Sequence, residues 1–401
     1  MDFKLTEEQI MMLQMVREFA QKEVKPLSVE LDAKTDPKEC ISWELIEKAS
    51  KLGLRTLSIP AQYGGGGVDY LTRTIVAEEL GAGDQGFGSM FRVNMQNAPQ
   101  LVLGCNEQQR DEFLPKFLED DTFLVGVGRT EPNAGTDAHD ATCALGQGTS
   151  IQTFAERRGD EYIINGSKHF ISNGGIAKLF FIFARTNREL PITESLSMFL
   201  VPKDTPGFSI GRWHDKLGRR LLSNAELFFE DARIPARYLV GKEGDAWGKI
   251  GEPGGKPQAG PTPPWGLVGS ASLLGASRTC YEATLDYAKT RVQGGKPIIE
   301  HSNVAIRLAE IQVKIEAARG LIRKCAWCWD NKTDYNPKMS RLIKGFTDEM
   351  AVSIVNHMVI IFGGMSTDKS MPIEKYLRDI YTTLHGYSTT EMAWLAGAPT
   401  L

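Results

Sequence analysis

What this chain lacks narrows its class. Neither sign of charge dominates: 46 Lys and Arg stand against 50 Asp and Glu, for a formal net charge of −4. That balance offers no basic surface to nucleic acid or to an anionic membrane. Cysteine is sparse, with six residues (Cys40, Cys105, Cys143, Cys280, Cys325, Cys328) scattered over 401 positions, which excludes a small disulfide scaffold. Cys325-Ala-Trp-Cys328 has the spacing of a redox pair. It lies inside a continuous helical pattern, so it reads as two buried thiols. No apolar run approaches the ~18 residues of a bilayer span. The N-terminus, MDFKLTEEQIMMLQ, has neither the basic nor the apolar region of a secretion leader. The expectation is a cytoplasmic protein with no membrane insertion, or an organellar one whose leader has been removed.

What is present is a change of period along the chain. Over residues 6–24 the apolar positions Ile10, Leu13, Val16, Phe19 and Ala20 recur at helical spacing, behind a Thr6 cap with Glu7 and Glu8 in the first turn. Further helices are predicted over 43–52, 71–80, 94–103 and 107–118. Gly64 to Gly67 interrupt them as a loop. Short strand-like runs follow at 124–128, 141–145, 161–165, 178–185, 197–202, 208–210 and 226–230, which argues a β-barrel or sandwich. Residues 241–265 are rich in glycine and proline and read as a long loop. Helical periods resume at 270–291, 303–331, 339–362 and 373–383. The expected class is α+β, mainly α, divided as 1–125, 126–240 and 241–401.

Four motifs then resemble one family in order and spacing. They are Gly53-Leu-Arg-Thr-Leu-Ser-Ile-Pro-Ala-Gln-Tyr-Gly-Gly65, Thr130-Glu-Pro-Asn-Ala-Gly-Thr-Asp137, Asn165-Gly-Ser-Lys-His-Phe-Ile-Ser-Asn-Gly-Gly175, and Phe362-Gly-Gly followed by Pro372-Ile-Glu-Lys-Tyr-Leu-Arg-Asp379. The chain is similar to the acyl-CoA dehydrogenases. That resemblance implies an N-terminal helical domain, a middle β-barrel, a C-terminal four-helix bundle and bound FAD. It implies cofactor contacts from Thr130, Gly135, Thr136, Phe170, Ser172, Gly363, Gly364, Thr389 and Glu391. It also implies that Arg291, in Arg291-Val-Gln-Gly-Gly-Lys296, reaches the FAD of a neighbouring subunit in a homotetramer. The implied substrate is an acyl-CoA thioester and the implied electron acceptor an electron-transfer flavoprotein. The residues themselves agree. Alternation puts Phe170 and Ser172 on one strand face, and an aromatic ring beside a hydroxyl suits a flat apolar flavin with a polar N5 edge.

The departure from the family lies in its chemistry. Desaturation of a thioester needs a base for the α proton, donors to polarise the carbonyl and a hydride acceptor. The family glutamate lies seven residues past Arg-Asp, and here Arg378-Asp379 leads to Tyr387. Thr389 and Glu391 then fall where threonine and glutamine usually sit. A glutamate on the preceding long helix would fall at Trp265-Gly266, which is not acidic. Gly294 and Ile360 replace a usual aromatic and glutamine near the cofactor. Three groups stand as candidates for a relocated base. His385 carries an imidazole, which needs little tuning near neutral pH. Tyr387 carries a phenol whose ordinary pKa of about 10 needs strong depression. Asp215 lies in Arg212-Trp-His-Asp-Lys-Leu-Gly218. Arg92, in Ser89-Met-Phe-Arg-Val-Asn-Met-Gln96, falls by resemblance on the floor of the acyl pocket. There it either pairs internally with Glu78 or Asp84, or holds a distal carboxylate of the acyl group. Beside the dehydrogenase reading stand an enoyl-CoA reductase, lyase or oxidase on the same frame, and a non-catalytic flavoprotein.

Overall fold

Thr6 opens the first helix with a capping box: its hydroxyl accepts from Gln9 N, and the Gln9 side chain accepts from Thr6 N. In the computed structural model, which describes residues 4–135, 150–246, 263, 264, 266–386 and 388–398, α1 (Glu7–Phe19) runs through one π-turn (Ala20–Val24) into α2 (Lys25–Asp32). The predicted strand at 141–145, and Cys143, Thr136, Trp265 and Tyr387, lie outside the described residues. Next come α3 (Trp43–Lys51), α4 (Tyr70–Gly83), α5 (Gln85–Asn97), α6 (Gln100–Leu103) and α7 (Glu107–Glu119).

The single helix expected over 94–103 is instead the end of α5, a break at Pro99, and the short α6. The glycines at 81–88 lie within α4 and α5. Asp84 stops α4 and caps α5, accepting from Phe87 N at 2.8 Å. The glycines serve close approach. A Cβ on Gly81 would sit 2.0 Å from the Ser272 carbonyl oxygen, and one on Gly275 would sit 1.8 Å from that of Glu78. After the one-turn α8 (Ile192–Ser195) comes α9 (Leu267–Thr290), which α4 therefore touches backbone to backbone.

The middle of the chain is a sheet of β1 (Val125–Gly128), β2 (Phe154–Arg158), β3 (Glu161–Ser172), β4 (Leu179–Arg185), β5 (Leu196–Pro202), β6 (Phe208–Trp213), β7 (Asn224–Pro235) and β8 (Leu239–Val240). Among the described residues its order is β6-β7-β3-β2-β4-β5-β8, with β1 parallel to β4. Sequence patterning missed β2 and β8 and cut β3 and β7 short. Both long strands carry bulges, with register shifts between Ile164 and Gly166 and between Lys168 and Ile171, and a bulge breaks the alternation that marks a strand. Strand β4 is buried at every residue, so it shows no alternation at all.

Helices α9, α10 (Ser302–Asp330) and α11 (Met339–Phe362) pack on one another, with α12 (Ile373–Thr383) against α9 and α11 and α13 (Thr390–Gly397) against α11. Residues Met339–Thr367 are long and apolar enough to cross a membrane by length and composition. Here that segment is a core element, with Ile343, Met350, Ile354, Val355 and Met358 buried. Cys325 and Cys328 are buried free thiols, as expected, and burial pushes the Cys325 thiol up to about 12.

One buried cation ties the three parts together. Lys375 of α12 donates to Asp84 and to Asp379, each at 2.6 Å. Asp84 caps α5 of the N-terminal helices, and Asp379 accepts the backbone N–H of Arg219 from the β6–β7 connection at 2.5 Å. Nearby Arg378 binds Asp32, Glu374 and the Leu217 carbonyl. Removing the cation would strand two carboxylates in the interior. Lys375→Met is expected to lower unfolding free energy by about 3–5 kcal/mol, read from urea denaturation of the holoprotein. An unchanged midpoint and slope would show that other partners satisfy those carboxylates.

Candidate active site

The surface that suits a flavin is the last turn of β3. Phe170 sits in the bulge at φ +55°, and its ring is 54% exposed although it is a large apolar group. Ser172, half-buried on the same side, accepts from Asn224 Nδ2 at 3.4 Å. The neighbouring loop is fixed from beneath. Glu131 is buried and accepts from Gln152 N at 2.6 Å, Thr153 N at 3.0 Å and Lys168 Nζ at 2.6 Å. Burial pushes the Glu131 carboxyl up, but Lys168 and the other donors outweigh this and hold it below the ordinary range. The Glu131 side chain is thus structural, and it places Thr130, whose carbonyl accepts from His169 N at 2.9 Å, alongside Phe170. Gly135 lies on this loop. Thr136 lies outside the described residues.

Sequence reasoning missed the group that completes this face. His214, just past β6, stacks on Phe170 with ring centroids 4.2 Å apart and planes at 22°, and it meets His169 edge-on at 4.6 Å. Burial, then the charge of His169, holds the His214 imidazole below its ordinary pKa. The motif Arg212-Trp-His-Asp-Lys-Leu-Gly218 held the signal, but only the Asp215 carboxylate drew notice. The structure removes Asp215 from the interior: its side chain is exposed and bound to Arg220. Lys216 turns inward instead, donating to the carbonyls of Arg219 and Leu222 and to Asn224 Oδ1. Burial, then the Arg219 charge, pushes its ammonium well below the usual lysine range.

The segment from His214 to Arg219 therefore spans from the Phe170 face to the turn between α12 and α13. There a Cβ on Gly386 would lie 2.9 Å from Arg219 Nη1, and one on Gly218 would lie 2.4 Å from the backbone of Arg378. His385 is exposed on this turn. Thr389 caps α13, accepting from Met392 N at 3.3 Å, and Glu391 is exposed in the first turn of α13. Tyr387 lies outside the described residues. Asp348 of α11 was also missed. It is a buried carboxylate bonded to Lys344 at 2.6 Å and Thr390 at 2.9 Å, and burial pushes its carboxyl up.

Helix α5 is docked beneath the Phe170 turn. Asn173, at φ +59°, donates to the carbonyls of Met90 at 3.3 Å and Val125 at 3.1 Å. Arg92 on this helix is buried and donates to Gln96. Of the two carboxylates named above as internal partners, Glu78 binds Arg278 and Arg319, and Asp84 binds Lys375. Arg291, Gly363 and Gly364 form a separate group where α9 and α11 end and Tyr287 stacks on Phe362 at 4.1 Å. All three are exposed, and Gly363 adopts φ +57°, a conformation that favours glycine.

An exposed aromatic plate with a hydroxyl at its edge, over a loop pinned by a buried ion pair, fits an isoalloxazine ring. Comparison with known proteins accords with this fit. The chain matches family models for the acyl-CoA dehydrogenase N-terminal domain over residues 6–121, the middle domain over 126–232 and the C-terminal domain over 267–398. It is 35% identical to a short-chain specific acyl-CoA dehydrogenase of Clostridium acetobutylicum, covering 98% of this chain and 97% of that one. It is 29% identical to a cyclohex-1-ene-1-carbonyl-CoA dehydrogenase of Syntrophus aciditrophicus, over 95% and 86% of the two. Among solved structures it resembles a chain from the work on the electron transferring flavoprotein of Acidaminococcus fermentans, with a TM-score of 0.88, 32% identity and coverage of 100% and 99%. With this fold and these matches along its length, the chain belongs to the acyl-CoA dehydrogenase family of FAD-dependent oxidoreductases.

Proposed function

We propose that the enzyme desaturates an acyl-CoA thioester to its enoyl- or dienoyl-CoA, using a base from the turn at 385–387 in place of the family glutamate. The observation that carries this reading is the continuity of the segment from His214, stacked under Phe170, to Arg219, beside Gly386. It links the proposed flavin face to the turn through one short stretch of chain. Bound FAD supplies the hydride acceptor. The chain's own residues place Phe170 and Ser172 against the cofactor, fix their loop through Glu131 and Lys168, and offer His385 or Tyr387 to the α proton. Asp215 drops behind these two because Arg220 engages it at the surface. An electron-transfer flavoprotein is the proposed acceptor, supported by the Acidaminococcus match. The cyclohexene-carbonyl-CoA relative supports a cyclic thioester as one substrate class. The lack of a carboxylate at Tyr387 favours, as the second reading, a reductase, lyase or oxidase. Under anaerobic conditions, flavin bleaching by a panel of acyl-CoAs supports dehydrogenation, reoxidation of the reduced flavin by an enoyl-CoA points to a reductase, and no response to any thioester favours a non-catalytic flavoprotein.

His385→Ala is expected to slow flavin reduction by about 100-fold or more, the range for loss of a general base, with Tyr387→Phe costing less. Stopped-flow reduction under anaerobic conditions reads both. A wild-type rate in His385→Ala would move the role to Tyr387.

Arg92 is proposed to read the acyl group, because it lies buried in α5, outside the cofactor loops, on the helix that the resemblance places at the floor of the acyl pocket. Arg92→Met is expected to shift the ratio of kcat/KM between dicarboxylic and simple acyl-CoAs by about 10-fold or more, the worth of one charge-assisted bond. FAD content should not change. An unchanged ratio would make Arg92 structural.

A homotetramer is proposed from Arg291, exposed at the end of α9, and from an apolar stripe left open on α10, where Ile306 and Val313 are 66% and 68% exposed. These two residues are seven apart and share a face. Sedimentation is expected to show a tetramer that Ile306→Asp with Val313→Asp breaks down. A stable FAD-loaded wild-type monomer would overturn the assignment.

A further inference from the structure

The geometry points to a divalent transition-metal site formed by His169, His214 and Glu226 at the end of the sheet beside Phe170. One ligand atom from each lies within 4.8 Å of the other two. Three adjacent strands build it. Lys168 pairs with Leu227, which sets His169 across from Glu226, and His214 follows Trp213, which pairs with Ala225. Two register shifts converge there, between Lys168 and Ile171 and between Ile210 and Trp213. Such bulges re-aim side chains that regular alternation would send apart.

A histidine–carboxylate pair accounts for His169 and Glu226, which lie 3.3 Å apart. It does not account for His214. That residue is only 5% exposed, and its Nε2 has no hydrogen-bond partner among the described residues. Its backbone N–H is fixed to the Asn224 carbonyl at 2.8 Å, and its ring is held face-on by Phe170 and edge-on by His169. Buried polar atoms in folded proteins are almost always satisfied. An immobilised imidazole beside a second imidazole and a carboxylate is satisfied by a cation they share.

Two imidazoles and one carboxylate suit Zn²⁺, Co²⁺, Ni²⁺ or Cu²⁺ and not Mg²⁺ or Ca²⁺, which take mostly oxygen. Three protein ligands leave a position for water. Arg212 and Lys216 carry opposing charge near His214. Arg212 is exposed and screened by solvent, and the Lys216 amine is engaged by three oxygens. The site stands apart from the residues assigned to the base and the acyl group, and it does not rest on their identity. Through the Phe170–His214 stack, its occupancy touches the flavin face.

The test uses tag-free holoenzyme, stripped with EDTA and titrated with Zn²⁺ against a colorimetric chelator. One Zn²⁺ per subunit is expected, and Co²⁺ in its place should add ligand-field absorption to the red of the flavin bands. His169→Gln and Glu226→Gln should each weaken Zn²⁺ binding by about 100-fold or more, beyond the usual loss for outer-sphere partners. FAD content and thermal midpoint, measured on the same samples, show that both variants are folded. Absence of stoichiometric Zn²⁺, or wild-type affinity in both folded variants, overturns the site.

Discussion

The rest of the structure depends on one buried ammonium. Lys375 is enclosed between Asp84 and Asp379, and burial alone would push its charge out. The two carboxylates outweigh that and hold its pKa far above the ordinary lysine value. Each carboxylate has a second duty: Asp84 caps α5, and Asp379 receives the N–H of Arg219. A buried ion pair of this kind costs desolvation and yields geometry in return. Here the geometry is the relative placement of helix α5, the β6–β7 connection and the turn that carries His385. The motif Pro372-Ile-Glu-Lys-Tyr-Leu-Arg-Asp379 thus has a physical reason independent of the cofactor.

Close backbone contact fixes the same arrangement from the other side. Gly81 and Gly275 let α4 lie directly on α9, so the start of α5 is set by both helices. Gly86 repeats the device toward the sheet, where a Cβ would come within 3.0 Å of Arg219 and Leu221 backbone atoms. Asn173 then reaches from the end of β3 to the Met90 carbonyl of α5. Helix, sheet and turn meet through backbone atoms, which leaves little room for the Phe170 face to shift relative to α5.

Much of this was legible from residue order. The long helices α9 to α12 follow an unbroken period, and α11 and α12 begin and end where periodicity places them. Thr130, Phe170 and Ser172 are assigned to the flavin by the resemblance, and the feature of this group that the structure adds is the exposure of Phe170 at positive φ. His214 was not legible, since only the bulges and the turn of Phe170 to positive φ bring a residue 44 positions later onto its ring. Asp215 drew notice as a carboxylate, but sequence carries no sign of the Arg220 partner that engages it at the surface. Lys168 and Glu131, 37 positions apart, are fully buried charges that pattern reading assigns to the exterior. Pair formation across strands is a tertiary fact.

On the proposed reading, a base from the turn at 385–387 in place of the family glutamate changes the charge that the turn must carry. A carboxylate base ends the proton transfer neutral, whereas an imidazole ends it as a cation. Arg219, buried against Gly386, opposes a cation there. Glu391 favours one, and it stands where the family pattern has an uncharged glutamine. Its carboxyl is held below the ordinary range by its own backbone N–H, by the Thr389 hydroxyl and by the charge of His385. On that reading, Tyr387 and Glu391 form a compensated exchange for the family's glutamate and glutamine, with the anion at the neighbouring helix start instead of at the base position. At that start it is stabilised by the helix dipole and lies within electrostatic reach of His385. A neutral base with a fixed anion beside it keeps the net charge of the turn that a charged base with a neutral neighbour supplies.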